Sequence, residues 1–188
     1  MAQAAHTAPA KVGRARVASG NRKTTRETRA SSTRLVSKAV VPYQVKRLHF
    51  ATLLKTEPAH RIALARDGVS AAWLSELATR MGIPQDRVFA YLGIPRSTAI
   101  RKIQQSKLLS TDEGERVVGI ARLVGLVEKI VRESGEPKGF DAARWLAGWL
   151  EQALPALGGQ KPGELLDTAT GQQLVAGLLS QIQSGAYA

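Results

Sequence analysis

No cysteine occurs in the 188 residues, so disulfides, thiolate zinc sites and cysteine nucleophiles are excluded together. Histidine is scarce as well. His6, His49 and His60 are the only three, and none has a carboxylate or nucleophile at a spacing that would build an acid/base pair or a triad. His49 and His60 read as partly buried polar residues. No run approaches the roughly 18 to 20 apolar residues of a membrane span, and the N-terminus lacks the apolar stretch of a secretory signal. These absences point to a cytoplasmic protein that is not an enzyme and has neither a cofactor nor a metal-ligand set. Alternation of apolar and polar residues at period two is missing too, so an all-α fold is expected.

Acidic residues are outnumbered, 15 against 27 Lys and Arg, for a formal net charge of +12. The excess is concentrated: residues 1–47 carry eleven Lys or Arg and a single acid, Glu27. An arm this rich in Ala, Ser, Thr and Arg has little apolar surface to bury and is expected to be disordered when free. Its charge suits salt-dependent attachment to nucleic acid. A solvated tail, a mis-assigned start and an Arg- and Ser-rich transit segment are the alternatives.

The chain as a whole is 44% hydrophobic, enough for one or two small domains with modest cores beyond the arm. Residues 41–68 contain apolar residues at helical spacing, interrupted by Pro58 and stopped at Asp67-Gly68, which predicts two short helices. "SAAWLSELATRMG" predicts a helix capped by Ser70, with Trp73, Leu74, Leu77, Ala78 and Met81 on its apolar face and Gly82 as its stop. "PQDRVFAYLG" predicts the next, with Pro84 and Asp86 in the first turn and Val88, Phe89 and Leu92 on one side. Only Ile94 and Pro95 then separate Gly93 from "RSTAIRKIQQSK", where Ala99, Ile100 and Ile103 are apolar and the rest is basic or polar.

A helix, a tight turn containing glycine, then a helix with a basic outer face is the helix-turn-helix pattern. Arg and Gln on such a face can make bidentate contacts with base edges. Arg96, Ser97, Thr98, Arg101, Lys102 and Gln104 are the candidate DNA-facing residues; the alternative is a helical hairpin with a solvated basic face. "LSTDEGERVVGIARLVGLVEKIVRES" begins with a capping box, Ser110 and Glu113, so its clustered carboxylates read as caps rather than as an acid/base pair. The broad apolar arc of this helix implies either another helix layer or a second subunit. "FDAARWLAGWLEQAL" predicts a further helix, with Trp145 and Trp149 read as core.

The segment "LGGQKPGELLDTATGQQLV" holds several glycines around a lysine. A phosphate loop needs Gly-Lys-Ser/Thr at a helix start after a buried strand, whereas Lys161 here precedes Pro162, Gly163 and Glu164. A dinucleotide fingerprint fails for the same lack of a strand. What the residues predict is a sharp turn at Gly158-Gly159, a short proline-started helix, a cap at Thr168 or Thr170, and a last helix with Leu174, Val175, Leu178, Leu179 and Ile182 as its stripe.

The pattern "RWL…LGGQKPGELLDTATGQQLV…LL" resembles the toxin-binding domain of the Xre/MbcA/ParS antitoxins. Upstream, "ALARDGVSAAWLSELATRMGI…YLGIPRSTAIRK" followed by "LSTDEGERVVGIARLV" is similar to the Xre-type helix-turn-helix that precedes it in that family. The resemblance divides the chain into a basic arm (1–44), a helix-turn-helix domain with a dimerising helix (45–134) and a helical toxin-binding domain (139–188). It implies a type II antitoxin that neutralises a RES or related ADP-ribosyltransferase-like toxin by blocking its NAD pocket and represses its own operon at operator DNA; a homodimer through the helix 112–133 is expected from the apolar arc of that helix. Carried onto this chain, the toxin-facing residues are Gly158, Gly159, Lys161, Pro162, Glu164, Leu165, Thr170, Gly171 and Tyr187. The competing expectation is a DNA-binding regulator whose C-terminal module only dimerises.

Overall fold

In the computed structural model, residues 48–135 and 138–183 are described. The expectations for the arm 1–44, for Val45 to Arg47 and for Tyr187 lie outside these residues. The described residues form eight α-helices and no strand; an isolated bridge between Ser70 and Leu108 is the sole β-type pairing among them. The helices are α1 (Phe50–Lys55), α2 (Pro58–Asp67), α3 (Ala72–Met81), α4 (Gln85–Tyr91), α5 (Arg96–Gln104), α6 (Thr111–Glu133), α7 (Ala142–Trp149) and α8 (Ala169–Gln183).

Local chemistry sets most of these boundaries. Pro58 opens α2, where its missing N–H costs nothing, and Gly82 closes α3 in the left-handed conformation. Ser70 does not sit at the cap position of α3, which starts at Ala72, but its hydroxyl accepts from the Ala72 N–H at 3.3 Å. The capping box of α6 is complete: Ser110 Oγ accepts from the Glu113 N–H, and the Glu113 carboxylate accepts from the Ser110 N–H. Asp141 caps α7 through the Arg144 N–H, and Thr168 is the cap of α8, accepting from the Gly171 N–H at 3.0 Å. The helix read as running from Phe140 to Leu154 ends earlier, at Trp149.

Helix α6 is the central post. Against it pack α1, α2, α7 and α8, with α3 joining α7 to α4 and α5. These helical neighbours cover most of its apolar arc, with Val117, Ile120, Ala121 and Val124 fully buried. Leu126, Ile130 and Val131, toward the C-terminal end of the arc, are only half-buried. Gly125 is what lets α1 lie so close: a Cβ there would come within 2.5 Å of the Phe50 carbonyl oxygen. Gln172, a buried polar residue of α8, is satisfied by donating to the Arg116 and Leu166 carbonyls at 3.0 and 2.8 Å. One hydrophobic core therefore runs from Leu48 through Trp73 and Phe89 to Leu146, Leu166 and Leu179.

Two apolar expectations fail on helical geometry. Trp149 is buried, but Trp145 lies between inward positions of α7 and is 37% exposed, stacked on Trp149 with ring centroids 6.3 Å apart. In α8, Val175, Leu178 and Leu179 are buried, whereas Leu174 and Ile182 are exposed. Leu174 falls off the face that Gln172, Val175 and Leu179 present to α6, and Ile182 lies beyond the end of the core.

Candidate functional site

Helix α5 is anchored by Ala99, which is fully buried, and by half-buried Ile100 and Ile103. The opposite face is the accessible one: Arg96, Ser97, Arg101 and Gln104 are exposed and Thr98 is half-buried. Gln105 and Lys107, which the helix-turn-helix pattern did not single out, are exposed at the same end. Arg96 Nε pairs with Asp86 of α4 at 2.7 Å. Both groups are well exposed, so the pair contributes little in water and a phosphate can replace Asp86 at small cost.

Lys102 is placed differently from the other candidates. Three residues after Ala99, it turns toward α6, and its ammonium binds the Glu113 carboxylate of the capping box. Burial pushes the Glu113 carboxyl up, but the Lys102 and Ser110 donors outweigh it and hold the group below the usual carboxylate range. Lys102 thus locks the end of α5 to the start of α6. His49 and His60, expected to be partly buried, are both exposed.

The C-terminal segment begins with a turn in which Gly158 and Gly159 have φ of 64° and 87°. A Cβ on either would meet nothing within 4 Å, so the turn projects into open space. Lys161, Glu164 and Thr170 are exposed, while Pro162 and Gly163 are buried and Leu165 and Gly171 are half-buried. Pro162 is therefore packed into the base of the segment, while Leu165 and Gly171 keep part of their surface accessible. Gly163 sits against the Tyr91 ring of α4, where a Cβ would approach to 2.6 Å, and its N–H donates to the Leu150 carbonyl at 3.0 Å.

Glu151, which sequence reasoning missed, organises this region. Its carboxylate accepts the Tyr91 hydroxyl at 2.7 Å and the Lys161 ammonium at 3.2 Å, and pairs with Arg87 Nε at 3.4 Å. The Tyr91 hydroxyl above all, then Lys161 and Arg87, hold Glu151 below the usual carboxylate range. Burial and the same hydrogen bond push the Tyr91 hydroxyl up. A second link joins α6 to the segment before α8: Arg116 Nη1 donates to the Asp167 carbonyl at 3.2 Å, beside Gly93 of the helix-turn-helix turn. No short sequence pattern announces either link, because Tyr91 and Glu151 are 60 residues apart and Arg116 and Asp167 are 51 apart.

Among the described residues no group of three or more His, Asp or Glu is placed to hold a metal ion, and no helix is long and apolar enough to cross a membrane. What the geometry offers is two exposed candidate surfaces on one core: the outer face of α5, and the segment from Gly158 to Thr170. Residues 60–122 match the family described as the antitoxin Xre-like helix-turn-helix domain, and residues 140–185 match the antitoxin Xre/MbcA/ParS C-terminal toxin-binding domain. The chain is 44% identical over 139 residues to the Prs ADP-ribosylating antitoxin of Sphingobium sp., spanning 74% of this chain and 87% of that protein. It is 27% identical over 122 residues to the antitoxin Xre of Pseudomonas putida, spanning 63% of this chain and 68% of that one. A further similar protein is the antitoxin Xre of Yersinia enterocolitica, 26% identical over 120 residues, 64% of this chain and 76% of the relative. With its helix-turn-helix and toxin-binding domains in that order, the chain belongs to the Xre/MbcA/ParS family of antitoxins.

Proposed function

We propose that this antitoxin neutralises a RES or related ADP-ribosyltransferase-like toxin by seating its C-terminal segment in the toxin's NAD pocket, as a type II system. The observation that carries the reading is the contrast within that segment. Gly158, Gly159, Lys161, Glu164 and Thr170 are exposed, while buried Pro162 and Gly163 fix their base against Tyr91 and Leu150. A turn held in shape before contact enters a concave site with little further ordering cost. Support for the toxin class comes from the name of the Sphingobium relative. The site needs no catalytic group or cofactor of its own, since occupation of the pocket is sufficient.

The same reading makes the chain a cytoplasmic repressor of its own operon, acting as a homodimer on operator DNA through the exposed face of α5. Arg96, Ser97, Thr98, Arg101 and Gln104 are its DNA-facing residues, with Lys102 holding the helix in place. Two copies bring two such helices to the half-sites of a palindromic operator. The test mixes the purified product of the neighbouring reading frame with the full chain, follows NAD loss, and titrates promoter DNA by gel shift. Stoichiometric inhibition together with a specific shift supports both arms. An NAD-consuming neighbour that the chain does not inhibit removes the toxin reading and leaves a DNA-binding regulator with a dimerising module.

A further inference from the structure

Helices α1, α2, α6 and α8 line a cleft of about 330 Å³, at the lower end of the roughly 300 to 1,000 Å³ range of small-ligand sites. Its walls are mainly apolar, with Leu54, Ile62, Leu126 and Ala176 among them. Two guanidinium groups enter the same space, Arg61 from α2 and Arg122 from α6. Arg61 donates to the Thr56 carbonyl, so it is braced by backbone, and neither arginine is ion-paired within the described residues. The Nε of Arg122 is buried and has no hydrogen-bond partner among them. Glu115 also lines the cleft, but it is exposed and forms no ion pair with either arginine.

Two like charges facing one apolar cleft are an unfavourable arrangement for the chain alone. Burial, and then the positive charge of Arg61, pull the Arg122 guanidinium below its ordinary value. A bound anion would reverse both penalties by supplying the missing acceptor for Nε and the missing counter-charge. The amide groups of Gln172 and Gln173 line the α8 side; Gln172 is engaged with backbone carbonyls, whereas Gln173 is exposed. The apolar walls set the other half of the requirement, since a simple inorganic anion would leave them wet.

We propose that this cleft binds a small amphiphilic anion: a short alkyl chain carrying one carboxylate or phosphate headgroup, with the headgroup between Arg61 and Arg122 and the chain along Leu54, Ile62, Leu126 and Ala176. The proposal stands on the cleft alone and does not rest on the toxin reading. The experiment is titration of the full chain with octanoate, octyl phosphate, 1-octanol and acetate, followed by calorimetry and by amide NMR shifts. Octanoate or octyl phosphate binds saturably with shifts confined to α1, α2, α6 and α8, and the tighter of the two identifies the headgroup. Octanol and acetate each bind at least about tenfold more weakly, and Arg122→Met weakens the anion by about tenfold while keeping the alkyl stem. Arg61→Met gives the same readout should Arg122→Met fold poorly. Absence of saturable binding at millimolar concentration, octanol binding as well as octanoate, shifts outside the cleft, or undiminished binding by a folded arginine variant would each overturn the proposal.

Discussion

The Tyr91 hydroxyl donates a 2.7 Å hydrogen bond to Glu151, joining α4 of the helix-turn-helix to the residue two positions beyond α7. The two matched domains thereby share a polar contact as well as a core. Tyr91→Phe is expected to cost about 1 kcal/mol of folding stability, the net value of one such bond. Because Lys161 binds the same carboxylate, the double variant Tyr91→Phe/Lys161→Ala should depart from additivity. Urea denaturation of the two single variants and the double variant measures this directly, and strict additivity would mean that Glu151 does not couple them.

Glu113 ties stability to pH. Its folded-state value lies below the unfolded value of about 4.3. The contribution is therefore fully present above that pH and is lost as pH falls through the folded value. Glu113→Gln should be destabilised by about 1 to 3 kcal/mol at pH 7, having lost a charge-assisted bond to Lys102. The gap to the wild-type chain should narrow as the pH falls below the unfolded value and through the lower folded one. Thermal denaturation from neutral to acidic pH follows it, and a constant gap would exclude the carboxylate as its source.

Glycine substitutions separate close approach from open space. Gly163→Ala places a methyl 2.6 Å from the Tyr91 ring and 3.0 Å from the Leu150 carbonyl, for an expected cost of about 1 to 3 kcal/mol. Gly177→Ala, on α8 with nothing within 4 Å, should be neutral or stabilising by up to about 1 kcal/mol. Chemical denaturation of both variants decides, and equal effects would contradict the packing described for Gly163.

The α5 variants should divide by role. Arg101→Ala is expected to leave stability unchanged and to weaken operator binding by about 1 to 3 kcal/mol where that side chain reads a base. Lys102→Ala should instead lower the melting temperature, because it leaves Glu113 with one donor fewer in a mostly buried setting. Gel shifts paired with melting curves measure the two quantities. A stable, DNA-blind Lys102→Ala chain would place Lys102 on the DNA instead.

How much of the molecule is legible in the sequence depends on the range of each interaction. Ser110 with Glu113, Gly82 and Thr168 act within one helical turn, and their roles can be read from neighbouring letters. The same holds for the order of elements and for Trp73, Leu77 and Phe89 as core. Lys102 is harder: the residue type says surface, and only its spacing from Ala99 says inward. Trp145 and Leu174 are misplaced when apolar character is weighed above helical phase. Glu151 and Asp167 are invisible, since partners 60 and 51 residues away leave no local pattern.

The central claim concerns the exposed segment from Gly158 to Thr170. Truncating the chain before α7 would remove Leu146, Leu166 and Leu179 from the core and so confuse unfolding with loss of contact. Substitution of the exposed residues avoids this. The most direct measurement is growth and cellular NAD in cells expressing the neighbouring reading frame alone, with this chain, or with a folded Glu164→Arg/Thr170→Arg variant. The account predicts that the neighbour depletes NAD, that the native chain restores it, and that the variant does not. Full protection by the variant, or a neighbour that leaves NAD and growth untouched, would contradict it.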